Sequence, residues 1–299
     1  MKQADESKYV TVLTRRLFMS FGLLTLALTA AAVEPSYPRE LSRWKEISIP
    51  SGTNQGARRV WEFAANYSMH EWRVFVEDGK VSARLVSPMK FEKGERPPFT
   101  PKGFEFRQGD AFKRVDDGWL IGFNRGEFGA SLHWISADGK REYKISDHQV
   151  VDFITLPDGV YAIEGLAHLG MSGGSVIRIA REPGQLYWMA TPVTKLPFAP
   201  YAVSVRRDNS MLLTLSDALV SIDAEHNIVS LLEKAPWTGL YPNSSVLSSD
   251  EQKLYIGMRQ YVGEFDFSSK RLRLLVPADS FVNKLPKDQE RQIYKQYGR

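Results

Sequence analysis

Four aspartates, Asp117, Asp158, Asp208 and Asp250, each stand in a turn between two strand-like runs, at successive offsets of 41, 50 and 42 residues. Each is followed by a second hairpin turn, at Asp138-Gly139, Pro183-Gly184, Glu225 to Asn227 and Ser268-Ser269. A module of about four strands cannot bury its apolar faces alone and must stack on copies of itself. That is the size of one blade of a β-propeller.

The clearest unit reads as strands over Ala111 to Val115, Trp119 to Phe123, Leu132 to Ser136 and Lys140 to Ile145. The next reads Val150 to Leu156, Val160 to Ile163, Val176 to Ala180 and Leu186 to Met189, and the third Ala202 to Val205, Met211 to Leu215, Leu219 to Ile222 and Ile228 to Leu232. A further unit covers Ser245 to Leu247, Lys253 to Ile256, Val262 to Phe267 and Arg271 to Val276. A weaker copy spans Trp44 to Val86, with strands expected over Ile47 to Ile49, Arg58 to Ala64, Trp72 to Val76 and Val81 to Val86. The expected fold is therefore all-β, a propeller of five blades of four antiparallel strands. Six blades stay open if the proline-rich stretch Ser87 to Gly103 is a degraded blade rather than an insertion. A pair of β-sandwiches would also show short strands, but has no reason to repeat every four. The expected propeller domain is 33–282, and a polar, basic tail follows over 283–299, read either as a frayed end or as a short helix from Asp288 to Tyr297.

The N-terminus carries a different pattern. Thr14-Arg15-Arg16 ends a polar start, an apolar run covers Leu17 to Ala32, and Ala30-Ala31-Ala32 supplies the small residues that a signal peptidase requires. Residues 1–32 read as a cleaved signal peptide, so the mature protein is expected in the periplasm or secreted, with no stable membrane span once the signal is removed. The alternative is an uncleaved anchor, though a spanning helix wants about 20 apolar residues. Thr14 to Met19 resembles the twin-arginine export motif, and paired arginines also occur in ordinary secretory signals.

Composition narrows the chemistry. With no cysteine, disulfides, thiolate metal sites and cysteine nucleophiles are excluded. A formal charge of +4 over 299 residues gives no electrostatic case for nucleic acid.

In a four-stranded blade, the turns after the first and third strands share one end of the disc, and the loops after the second strand share the other with the inter-blade connections. The first set is plain turn chemistry. The second is longer and richer, and it brings Asn124, Arg125, Glu127, Glu164, His168, Asp217, Tyr241, Asn243 and Arg259 toward one mouth of the channel. These are the candidate ligand-binding residues, since rigid scaffolds concentrate binding groups on such loops. Their alternative role is mutual neutralisation that orders the inner strands. Tyr201, Trp237 and Tyr241 are expected to be exposed aromatics there.

No linear catalytic signature is present. There is no Gly-x-Ser-x-Gly elbow, and the histidines at 70, 133, 148, 168 and 226 lack zinc-ligand spacing. No cofactor is predicted, yet Glu164, Asn124, Asp217 and Asn243, from separate blades, supply oxygens that suit a divalent cation.

The strings Asn124 to Gly129, Glu164 to Leu169, Tyr241 to Ser244 and Gly257-Met258-Arg259 resemble a group of exported bacterial propeller-like proteins without assigned activity. A more distant resemblance to gluconolactonase-type propellers implies a metal-centred hydrolase with acidic and amide ligands near the channel. Arg125 and Arg259 intrude on that acidic set. Two functions follow as expectations: a non-catalytic recognition protein of the cell envelope, binding a protein, peptide, glycan or small molecule at the mouth, or a metal-dependent hydrolase or lactonase using the same mouth. The sequence alone leaves open whether the protein is an enzyme.

The leader reading has a direct check. N-terminal sequencing of protein from a periplasmic extract is expected to begin at Val33, and a start at Met1 would show an uncleaved segment.

Overall fold

The computed structural model describes residues 36–86, 93–107, 109–181 and 184–298. The expected signal peptide and the Ser87 end of the proline-rich stretch lie outside them.

Three sheets follow the expected module. The first holds β4 (Ala111–Val115), β5 (Gly118–Asn124), β6 (Ala130–Ser136) and β7 (Glu142–Ser146) in that order. The second holds β8 (Val150–Leu156), β9 (Gly159–His168), β10 (Met171–Ala180) and β11 (Met189–Leu196). The third holds β12 (Pro200–Val205), β13 (Met211–Leu215), β14 (Ala218–Ile222) and β15 (Ile228–Glu233). A last sheet of β16 (Ser244–Leu247), β17 (Lys253–Gly257), β18 (Val262–Asp266) and β19 (Arg271–Val276) carries a fifth strand, β1 (Lys45–Ile47). The remaining sheet has two strands, β2 (Glu71–Glu77) and β3 (Lys80–Val86). The molecule is an all-β propeller with a reduced first blade.

Burial explains the sequence pattern of the inner strands. Met211 to Leu215 is buried at every position because both faces of its sheet are covered. Met211, Leu213 and Leu215 pack with Ile163 and Val176 of the preceding blade, whereas Leu212 packs with Leu254 and Ile256 of the following one. The outermost strand β15 lacks that double cover and begins with three exposed residues, Ile228, Val229 and Ser230.

Four expectations are corrected. Ile47 belongs to β1, which pairs antiparallel with β19 in the last blade (Lys45 opposite Val276, Ile47 opposite Leu274). Arg58 to Ala64 is not a strand but lies in α1 (Gln55–Asn66). Trp61, Ala64 and Ala65 are spaced i, i+3, i+4, the helical period, and Arg58 and Glu62 form an i, i+4 ion pair at 2.8 Å. Asn54 caps the helix by accepting a hydrogen bond from the Ala57 amide at 2.9 Å. The stretch between the expected strands Val160 to Ile163 and Val176 to Ala180, which carries Glu164 and His168, is not an open loop, because β9 and β10 run on to a tight turn at Leu169-Gly170. The strand expected over Leu186 to Met189 starts only at Met189.

Other elements occupy the space that a full first blade would fill. Phe99, Phe104 and Phe106 pack on Phe112, Trp119, Ile121 and Phe123, covering one face of the β4–β7 sheet. Helix α1 stacks Trp61 on Tyr261, with ring centroids 5.7 Å apart, and buries Ala65 beside Trp237 and Leu240. The tail forms α2 (Lys287–Tyr297), which lies on α1, where Tyr294 fills the space beside Gly56. A Cβ at Gly56 would stand 2.5 Å from the Tyr294 ring, so this contact needs the glycine.

Ring closure converges on Trp72, which is fully buried. Its ring lies 4.6 Å from Trp44, 5.0 Å from Tyr37 and 5.7 Å from Phe281, and its indole N–H donates to the Gln260 carbonyl at 3.1 Å. Trp72→Ala is expected to destabilise the mature protein by about 3–5 kcal/mol in urea unfolding, the range for a large buried aromatic. A change under about 1 kcal/mol, the scale of an ordinary surface substitution, would show that closure does not depend on this contact.

Candidate functional site

The ends of β5 and β9 and the starts of β2, β8, β12 and β16 meet at one end of the channel, around a hollow of about 230 Å³. Glu71, Lys93, Asn124, Leu166, Tyr201, Tyr241 and Asn243 are among its lining residues. Asn124, Tyr241 and Asn243 were candidates from sequence. Glu71 and Lys93 were not.

Glu71 is the first residue of β2 and is buried. Asn243 donates its amide N–H to the Glu71 carboxylate at 3.3 Å and to the Trp72 carbonyl at 3.1 Å. Asn243 in turn accepts from the Ser244 hydroxyl at 2.8 Å, so its orientation is set on both sides. Burial pushes the Glu71 carboxyl above the usual range, and the Arg259 charge and the Asn243 hydrogen bond pull it partly back. Arg259 follows the end of β17 and donates to the carbonyl and side chain of Asn66 at 2.9 and 3.0 Å. Its guanidinium also lies 4.7 Å from the Tyr241 ring centroid, at a residue with φ +49°.

Lys93 enters from the segment before β4. Its ammonium donates to the Tyr201 carbonyl at 2.9 Å. Burial lowers its pKa first of all, Asp152 opposes that, and Arg73 adds to it. Burial also raises the Tyr201 hydroxyl pKa, with a smaller contribution from Tyr241.

The remaining candidates lie along the rim in structural partnerships. Arg125 pairs with the fully buried Asp110 and donates to the Glu105 carbonyl at 3.0 Å. Asn124 accepts from Gln149 at 2.8 Å and from the Gly126 amide at 3.0 Å. The Glu127 carboxylate lies 2.6 Å from His168 Nε2, a close approach between the β5–β6 loop and the β9–β10 hairpin. Glu164 accepts a hydrogen bond from Ser175 across that hairpin, and the Asp217 carbonyl accepts from the Ala235 amide at 2.9 Å. Of the oxygens proposed for a cation, those of Asn124, Glu164 and Asn243 each accept from a different protein donor. Among the described residues, no group of three or more His, Cys, Asp or Glu side chains is placed to hold a metal ion. Trp237 is a correction. It is fully buried and donates its indole N–H to the Leu215 carbonyl at 2.8 Å, so it is not an exposed aromatic.

A second, more open hollow of about 740 Å³ lies beside this end, lined by Phe104, Phe123, Arg107, Arg125 and Phe128 among others. It sits against the β4–β7 sheet where Phe104 replaces a neighbouring blade.

Glu71 had a readable signal, since an acidic residue opens the apolar strand Trp72 to Val76. Lys93 had none, because it lies in an irregular segment with no period to place it.

No family model matches the chain, and no curated protein matches it. Among solved structures, virginiamycin B lyase from Staphylococcus aureus is 18% identical with a TM-score of 0.39, over 57% of this chain and 56% of that one. The chain therefore spans little more than half the length of that enzyme. A protein of unknown function from Bacteroides caccae is 11% identical with a TM-score of 0.37, over 70% and 74% of the two chains. A gluconolactonase from Xanthomonas campestris is 12% identical with a TM-score of 0.28, over 81% and 98%. Likeness at this level says nothing of activity.

The Glu71 environment predicts a titration. Its carboxyl carbon resonance is expected to titrate above the ordinary glutamate range, and Arg259→Met is expected to move it higher still, because Arg259 favours the ionised form. Since the folded state resists ionising Glu71, stability falls as pH rises from the unfolded carboxylate range through the folded pKa. Glu71→Gln is expected to remove that slope, and an unchanged slope would show that another group causes it.

Proposed function

We propose that the protein is an exported, non-catalytic recognition protein of the cell envelope that holds a protein or peptide partner at the loop-rich end of the propeller. One observation carries this reading. Phe128 and Leu169 are 86% and 87% exposed, and Met69, Met171 and Tyr241 are also exposed, all on loops or strand ends at that one end. Solvent-facing apolar side chains on a rigid scaffold fit association with a partner surface. The polar residues below them are engaged with one another, which suits a preorganised surface.

A hydrolase reading draws on one further fact, the buried and protonation-prone Glu71 at the pocket, which suits an acid–base role. Elemental analysis of the purified mature protein separates the readings: stoichiometric calcium, magnesium or zinc with a thermal shift on addition would favour the hydrolase. Among the described residues, no helix is long and apolar enough to cross a membrane.

The recognition reading predicts that wild-type mature protein recovers a partner from envelope extract and that the triple variant Phe128→Ser, Leu169→Ser, Met171→Ser does not. All three side chains are exposed, so the variant's melting temperature is expected to stay within a few degrees. Equal recovery by the two proteins would overturn the reading.

A further inference from the structure

We infer that the protein pairs with a second copy of itself, the apolar tip of its β9–β10 hairpin entering the phenylalanine-lined hollow of the other copy and the reverse. The inference goes beyond the recognition reading, since an envelope partner at this end would have to displace the second copy.

The hairpin outgrows its own blade. β8 accompanies β9 only as far as Glu164, and β11 accompanies β10 only as far as Gly174. β9 and β10 continue together, with Leu166 opposite Gly173, Ala167 opposite Ser172 and His168 opposite Met171. These three pairs add about 10 Å of two-stranded ribbon. Its base is braced on both sides. The Glu127 carboxylate approaches His168 from the β5–β6 loop, while Ser172 Oγ accepts from the Ala199 amide at 2.8 Å and lies 2.8 Å from the Ser216 hydroxyl. Beyond those braces the tip is Leu169-Gly170-Met171, which carries no charged side chain, and both large residues are exposed.

Leu169 and Gly170 have φ +46° and +83°, as in a two-residue hairpin turn that favours Asn, Asp or Gly. A leucine at the first of these positions strains the backbone and also leaves its side chain in water. Fold stability calls for neither, and a contact beyond the chain accounts for both.

The receiving half stands beside it. Phe128 is both an exposed rim residue and a wall of the hollow of about 740 Å³, whose other walls include Phe104, Phe123 and Ala130. The preceding Glu127 stands against His168, one residue before the tip, so tip and hollow are neighbours at one end of the molecule. The hollow falls within the ~300–1,000 Å³ that buries drug-sized ligands, so it admits the tip's two large side chains. The arginines of its wall are engaged, Arg125 with Asp110 and Arg107 with Glu105, which leaves the phenylalanine rings as the surface for a guest. Because each copy carries both halves side by side, one two-fold rotation makes both contacts and closes the pair. A foreign partner would need its own matching tip and cavity, whereas the second copy brings both.

In sedimentation equilibrium of the purified mature protein, the mass is expected to rise to two chains by about 100 µM, and Leu169→Asn to weaken the pairing at least about tenfold. Asn suits the turn, so this variant is expected to melt at or above the wild-type temperature where both are single chains. Ala130→Arg, which fills the hollow from the start of β6, is expected to weaken the pairing likewise. An equimolar mixture of the two variants is expected to pair more tightly than either alone, since one keeps its hollow and the other its tip. The inference is overturned if the wild type stays a single chain at that concentration, if Leu169→Asn pairs as tightly as wild type, or if the mixture gains nothing. Undiminished pairing by Ala130→Arg would also overturn it, by showing that tip meets tip. Should Ala130→Arg not fold, the wild type and Leu169→Asn still decide. Capture from envelope extract is measured separately, so a single-chain wild type that still captures a partner would end the pairing and leave recognition standing.

Discussion

The ring depends on a short antiparallel pairing between the N-terminal strand β1 and β19, sealed by Trp72. A propeller is a chain of sheets whose first and last members must meet, and an open ring would leave two large apolar faces in water. Three residue pairs alone would be weak. The aromatic cluster of Tyr37, Trp44, Trp72 and Phe281 adds a buried core that draws on the N-terminal segment, the first sheet and the segment after the last strand. Closure is thus chiefly a packing event, with the strand pairing setting its register.

The reduced first blade follows from the same constraint. Once β1 has joined the last sheet, the chain has only β2 and β3 to offer in its own position, and the neighbouring faces still need cover. Phenylalanines 99, 104 and 106 cover the β4–β7 side, and α1 with α2 lies beside the β17–β18 turn. These substitutions leave the two hollows of the loop-rich end, because irregular segments fill space less completely than a third and fourth strand would. Lys93 and Phe104, which line them, are both carried by the replacing segment.

Charged and titratable groups at this end stand in local pairs: Arg125 with Asp110, Glu127 beside the His168 ring, Arg259 near Glu71. Such pairs stiffen the loops on which the exposed Phe128 and Leu169 are carried, and they keep the rim close to neutral. Lys93 is placed through its backbone, by the bridge to Ala111 and the close approach of Gly94 to Phe112, with Asp152 as a carboxylate facing it.

Local chemistry was enough to read the strands of the three regular blades. Alternation and Asp-centred turns act over a few residues, so Ala111 to Val115, Val150 to Leu156 and Met211 to Leu215 carry their own signal. The same local grammar placed Asn124, Tyr241 and Asn243 at the mouth. Sequence proximity misled where a segment's partner lies far along the chain. Ile47 looks like the start of a first blade but pairs with Leu274, and Trp237 looks like a loop aromatic but is buried by the approach of neighbouring blades. Lys93 and Glu71 become neighbours of one hollow only when the ring closes. Turns and strands are decided by forces within a few residues, whereas burial and the convergence of charges depend on the closed packing of the sheets, and only the tertiary structure decides that.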